Sequence, residues 1–257
     1  MPRGTPQASR TIGRAKGDGS ASRRARGLNT LAIDIGGSGL KASVLDEAGA
    51  LLVDRVRVDT PVGSAPEVIV EALAKLVEPL PPFDRASVGF PGVVRDGRIL
   101  TAPNLGHEGW AGFDLATALR SHLGKPTRVV NDADMQGLAA ILGKGVELVI
   151  TLGTGFGTAL YLDGRLAPHL ELAHHPFRKR ETYEEQLGDA ARKRAGTKKW
   201  NTRIRKAIGN LRALIHFDHL YIGGGNAKKI TFEPDPDTTI ISNEAGVRGG
   251  IALWRDA

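Results

Sequence analysis

The sequence predicts an α/β protein of two lobes with mixed sheets, and three observations carry that reading. Two glycine-rich segments of one kind, Asp34-Ile-Gly-Gly-Ser-Gly-Leu-Lys41 and Thr151-Leu-Gly-Thr-Gly-Phe-Gly-Thr158, stand more than a hundred residues apart. Each is flanked by short apolar runs, the mark of a strand, a tight glycine turn and a returning strand. In both halves, strand-like and helix-like stretches then alternate, as in sheets covered by helices. Ligands of such sheets bind beyond the carboxyl ends of strands, where both glycine turns fall.

In chain order, residues 31–35, 41–45 and 51–58 read as strands, the last two joined by Asp46-Glu-Ala-Gly49. A helix over 64–78 takes Ser64 as N-cap, carries Ile69, Leu73, Leu76 and Val77 on one face, and stops at Pro79, Pro81 and Pro82. Strand 86–89 leads to Phe90-Pro-Gly-Val93, and a helix over 113–123 runs from its cap Asp114 to Gly124. Strand 128–130 ends at Asn131-Asp132, followed by a helix over 133–142 closed by Gly143. Strands 147–152 and 157–162 enclose the second glycine turn, and helices take 181–194 and 198–216. Strand 219–222 meets Gly223-Gly224-Gly225; a strand over 238–242 precedes a final helix from Glu244. The expected lobes are 28–132 and 133–245, with the final helix, 246–257, packing back on the first.

Of 257 residues, 41% are apolar, ample for a core, and none is cysteine. That excludes disulfides and thiolate zinc sites. No apolar run approaches the ~20 residues that span a bilayer, so no membrane partner and a cytoplasmic location are expected. The formal charge of +7 is unevenly spread. Residues 1–27 hold seven Lys/Arg against Asp18, and residues 178–206 hold eleven against four acids, which leaves the remainder net acidic. A nucleic-acid binder would need a reading helix or aromatic platforms, and aromatics make up 5% of the chain, so no nucleic acid is expected. Residues 1–27, rich in Gly, Ser, Ala and Arg, read as a disordered basic tail; a transit-like segment and an upstream mis-start stay open.

Glycine turns bring backbone N–H groups close to phosphate oxygens because no Cβ intervenes, so the chain is expected to handle phosphoryl groups. Asp132, at a strand tip opening a helix, suits either an N-cap or a general base that accepts a hydroxyl proton. Asp34 suits either a turn bond or a magnesium ion, and Lys41 either solvent or a phosphate. Asn104 offers an amide in a loop fixed by Pro103. Glu171 and His174 bring a carboxylate and an imidazole together with His175, and Glu184 lies shortly after.

The ordered set Asp34–Lys41, Pro91-Gly-Val93, Asn131-Asp-Ala-Asp134, Leu152–Gly157, Glu171-x-x-His174 and Gly223–Gly225 resembles the ROK family of sugar kinases. Trp110 after Pro103-Asn104, Lys199-Trp200 and Asn243-Glu-Ala-Gly246 bring it closest to the polyphosphate glucokinase branch. The resemblance covers about residues 30–257. It implies an actin-like (ribonuclease H-like) two-lobe fold with mixed sheets and, as activity, phosphoryl transfer to the 6-hydroxyl of glucose. It implies Asp132 as catalytic base, and Asn104, Asn131, Asp132, Glu171, His174 and Glu184 as sugar contacts. It implies phosphate contacts at Gly36, Gly37, Ser38, Lys41, Gly153, Thr154 and Gly155, with Gly223, Gly224 and Gly225 on the donor side. Magnesium at Asp34 and a homodimer complete the expectation. Most members bind zinc through the same histidine and three cysteines; this chain lacks the cysteines, as the polyphosphate branch does, which leaves His174 to the sugar. Ala173 stands where a glycine is usual, and His175 follows.

The basic run separates the donors. Arg178, Lys179 and Arg180, then Arg192 to Arg194, Lys198, Lys199, Arg203, Arg205 and Lys206, either form a solvated face or hold a polyanion such as polyphosphate. With the branch resemblance, polyphosphate is the expected donor, with ATP beside it. The alternatives are an ATP-dependent hexose kinase acting on glucose, mannose or an N-acylated or amino hexose, and a non-catalytic sugar sensor.

Overall fold

The computed structural model describes residue 1 and residues 27–61, 63–241 and 245–255, the side chains of 245–248 excepted. The expected tail, apart from its two end residues, lies outside them. So do Asn243 and Glu244 of the motif near the chain end.

β1 (Thr30–Gly36) and β2 (Gly39–Leu45) form the first glycine hairpin, with β3 (Val56–Val58) on the outer edge of β2. The chain crosses through α1 (Pro66–Val77) to β4 (Arg85–Phe90), parallel to β1, and through α2 (Leu115–Leu123) to β5 (Thr127–Asn131), parallel to β4. The sheet order is β3-β2-β1-β4-β5. Its core joins Leu31, Ile33 and Val88 to Ile69 and Leu73 of α1 and Leu119 of α2.

After α3 (Asp132–Leu138), β6 (Val146–Leu152) and β7 (Phe156–Leu162) form the second glycine hairpin, extended by β8 (Arg165–Leu166). The helices α4 (Tyr183–Leu187), α5 (Asp189–Ala195) and α6 (Thr197–Ile215) lead to β9 (His219–Gly223), parallel to β6, and β10 (Thr238–Ile240). This sheet runs β8-β7-β6-β9-β10. Trp200, Ile204, Ile208 and Leu211 form the apolar stripe of α6 against β6 and β9, at the three- and four-residue spacing of one helix face. Each such side chain contributes roughly 1.5–3 kcal/mol when fully buried.

α3 lies between the sheets, against β4 and β5 on one side and β6 and β7 on the other. α7 (Ala245–Ala252) packs on α3 and returns to β1 and β4. The approach is backbone to backbone: a Cβ at Gly249 would fall 1.7 Å from the Met135 carbonyl oxygen. Ser87 Oγ donates to the Gly250 carbonyl at 2.5 Å and accepts from Trp254 Nε1 at 2.8 Å. The Trp254 ring centroid lies 4.4 Å from the Arg128 guanidinium and 5.4 Å from that of Arg85.

Four expected elements differ. The strand over 51–58 shrinks to 56–58, with Leu51 making one isolated bridge to Leu45 and both Leu51 and Leu52 exposed. Ser64 does not cap α1; Pro66 opens it, its fixed φ suiting the first turn, and Ala65 stands at the cap without a side-chain bond. The helix over 133–142 ends at Leu138, because buried Glu147 takes the amides of Leu142, Gly143 and Lys144 at 2.7–3.1 Å and draws the chain away. The helix over 181–194 breaks at Gly188 into α4 and α5, and Thr182 with Glu185 starts α4 as a reciprocal capping box.

Candidate active site

The β1–β2 turn is held from outside. Thr60 Oγ1 donates to the Gly36 carbonyl at 2.5 Å and Arg57 Nη2 to that of Ser38 at 3.0 Å. A Cβ at Gly37 would sit 3.3 Å from the Asn104 carbonyl, so the Pro103-Asn104 loop lies directly on the turn. The β6–β7 turn is held in the same manner. The Gly153 carbonyl accepts from the Asp189 amide and from Asn226 Nδ2, both at 3.1 Å, and the Thr154 carbonyl accepts from Asp189 at 3.2 Å. With these carbonyls satisfied inside the chain, and the Gly153 amide donating within its turn to the Gly155 carbonyl at 3.2 Å, the other turn amides can offer the donors that phosphate oxygens need. Gly224, at φ 87°, follows β9 so closely that a Cβ would meet the Leu152 backbone at 2.4 Å.

Between the turns stands the start of α3. Asn131 caps the helix: its Oδ1 accepts from Ala133 at 2.8 Å and Asp134 at 3.4 Å, and its Nδ2 donates to the Gly92 carbonyl at 3.0 Å. Asn131 therefore lines the cavity with its amide already engaged. Asp132 is free of that duty. Its carboxyl opens into the cleft, with one oxygen accepting from the Ala133 amide at 2.8 Å. Crowding by the surrounding lobes, and then the negative charge of Asp34, push its pKa up to about 7. Asp34 is paired with Lys41 at 2.8 Å, directly across the β1–β2 ladder.

A cavity of about 570 Å³ brings these groups together. Of the expected residues it is lined by Asp34, Gly36, Gly37, Ser38, Lys41, Asn104, Asn131, Asp132, Gly153 to Gly155, Glu171, His174, Glu184 and Gly224. A second cavity of about 300 Å³ shares Asp34, Lys41, Asp132, Gln136, Thr151 and Gly224 with it and adds Gly225. Gly223 lines neither; it is a paired strand residue, where a Cβ would meet Ile241 and Gln136 at 3.2 Å.

Three lining residues carry no mark in the sequence. Arg55 reaches the smaller cavity from the segment before β3, and Gln136 projects from α3 one turn after Asp132. His169 lies in the wall, its Nδ1 3.1 Å from both oxygens of Asp134 and its Nε2 3.8 Å from Glu171. Burial alone would lower its proton affinity. The bonds to Asp134 and Glu171 outweigh that and push it up to about 9. Glu171 in turn is drawn upward by burial but held below its ordinary range by His169 and His174.

A third cavity, of about 470 Å³, is lined by Arg178, Lys179, Lys199, Thr202, Arg203 and Lys206. Desolvation, and then Arg178 and Arg194, lower the proton affinity of Arg203. Among the described residues no carboxylate pairs with these five cations; Arg178 and Arg203 bond to the side-chain and backbone oxygens of Gln186. Lys179 and Arg180 both sit at positive φ, 53° and 64°, in the tight turn between two short paired strands.

Known proteins match this arrangement. A polyphosphate glucokinase of Mycobacterium tuberculosis (strain CDC 1551 / Oshkosh) is 31% identical over 206 residues, 77% of this chain and 77% of the relative. An N-acetylmannosamine kinase of Escherichia coli (strain SE11) is 36% identical over 146 residues, 54% of this chain and 49% of that one. The crystal structure of the inorganic polyphosphate/ATP-glucomannokinase from Arthrobacter sp. strain KM superposes with a TM-score of 0.76 at 33% identity, covering 88% of this chain and 97% of that chain. The two-lobe α/β fold is thus the one expected. Residues 30–169, from the first strand through both glycine turns and Asp132 to His169, match the description "ROK family", and the chain belongs to that family.

Proposed function

We propose that this chain is a phosphotransferase that moves a phosphoryl group from inorganic polyphosphate, with ATP as a second donor, to the 6-hydroxyl of glucose, giving glucose 6-phosphate. One observation carries the reading: Asp132, with its proton affinity raised to about 7, stands where two phosphate-type turns face each other. The sugar takes the side lined by Asn104, Glu171, His174 and Glu184, and the donor's terminal phosphate lies between the two turns. Asp132 accepts the hydroxyl proton as the sugar oxygen bonds to phosphorus; the bond from phosphorus to the bridging oxygen breaks, and the shortened chain leaves. Lys41 and Arg55 supply cations on the donor side, beside Gly224 and Gly225.

Asp34 suits a magnesium ion carried in by the donor. Lys41 bonds one of its oxygens, and a single carboxylate plus waters and donor phosphates is an ordinary magnesium shell. Among the described residues no group of three His, Asp or Glu could form a complete protein cage. When bound, the ion would neutralise charge on the phosphates.

Two observations favour polyphosphate: the similarity to the two polyphosphate-using proteins, and the uncompensated basic cavity around Arg203, which suits a long anion. The similarity to an N-acetylmannosamine kinase supports a second reading, an ATP-dependent kinase of an amino hexose. A matrix of donors (ATP, short and long polyphosphate) against sugars (glucose, mannose, glucosamine, N-acetylmannosamine) tests both. Faster glucose turnover with long polyphosphate is expected; efficient use of ATP alone overturns the donor assignment. The homodimer expected of the family is checked by light scattering.

A further inference from the structure

Behind the sugar side of the cleft lies a buried ionic chain. The side chains of His169 and Asp134 are only 4% and 3% exposed, and Glu171 is 28% exposed, so the chain runs from the interior of α3 to the cavity wall. The segment holding His169 is pinned at both ends. The Ala167 amide donates to the Leu160 carbonyl at 2.8 Å, and the Thr158 hydroxyl donates to that of Leu170. On the other side, the Tyr161 hydroxyl holds the Asp134 carbonyl. An ion pair this deep is a poor source of stability, since desolvation offsets most of its attraction, so its placement calls for another reason.

We propose that His169 is a positioning residue of the acceptor site: a charged imidazole clamped by Asp134 that aims Glu171 at the sugar and sets the electrostatic surroundings of Asp132. This rests on the reading of the cleft as a sugar site. Asp134 stands two residues after Asp132 on α3, so the clamp ties the sugar wall and the base to one element. The titratable and charged groups around it are Asp132, Asp134 and Tyr161 on the packed elements, Glu171 and His174 on its own segment, and Asp34 with Lys41 across the cavity. The imidazolium is the cation that lowers the proton affinity of Asp132 against the negative charges of Asp34 and Asp134.

The test uses the full chain, with glucose and its best donor, and compares His169→Gln with the neutral pair Asp134→Asn/His169→Gln. Both variants should show a KM for glucose raised about tenfold and a smaller fall in kcat; His169→Gln should also move the acid limb of kcat/KM to higher pH, whereas the double variant, which removes the Asp134 charge as well, should leave that limb near its original place. The double variant should regain thermal stability, because no buried charge is left alone, without regaining KM. If it regains stability and KM together, the pair is structural only and the proposal fails. It fails equally if folded His169→Gln keeps the original KM and pH profile, or if the folded double variant keeps the original KM. Should His169→Gln not fold, the double variant alone decides. No hexose turnover by the unaltered chain overturns the acceptor reading itself, and this inference with it.

Discussion

At Asp132 the crowding that raises its proton affinity also makes a weak point in the fold. The folded protein binds this proton more tightly than the unfolded chain, whose ordinary value is 3.8. The stability this lends is present at low pH and is lost as pH rises toward and through about 7. Asp132→Asn should therefore lower kcat by about 10²–10⁴ while raising Tm by a few degrees at pH 8 and hardly at all below about pH 4. Scanning calorimetry beside a turnover assay checks both halves. The unaltered protein should lose activity below about pH 7, as Asp132 takes up its proton. His169 adds a second slope: its raised value lends stability that is complete below 6.5 and lost as pH rises through about 9.

At the scale of elements, two glycines leave no room for a substitute. Gly224→Ala would place a methyl group 2.4 Å from the Leu152 backbone at a φ of 87°, and Gly249→Ala would drive α7 off α3. Each should cost about 1–3 kcal/mol or more, read as a lower urea midpoint, with Gly224→Ala also weakening donor binding. The glycine hairpins and Asn131-Asp132 were legible in the sequence, because a turn without Cβ and a polar pair at a strand tip leave local marks. What was not legible depended on distant partners. Nothing near residues 139–142 announces the end of α3; the cause is Glu147, a strand residue that takes three amides of the incoming chain. His169, unlike the adjacent pair His174-His175, leaves no local mark for the same reason: its partner Asp134 is 35 residues away. Ser64 failed as a cap because Pro66 already supplies the first helical dihedral.

The whole molecule separates its chemistry from its charge. The cleft between the glycine turns mixes carboxylates with Lys41 and two histidines, whereas the cavity around Arg203 holds cations alone among its charged lining residues. Replacing Lys199 and Arg203 by Glu should raise KM for long polyphosphate steeply, leave KM for ATP and glucose within about twofold, and flatten the dependence of polyphosphate KM on salt by about one unit of log–log slope per cation removed. Equal loss with ATP would show that the cavity does not serve the polyanion. The return of α7 has a consequence of a different kind. The face of β1 and β4 over Ala32 and Ser87 is closed by a segment joined to it across 163 residues of sequence, through the Ser87–Gly250 bond. A chain emerging from the ribosome in order exposes that face until the second lobe has been made, so the first lobe to be synthesised is the last to be completed.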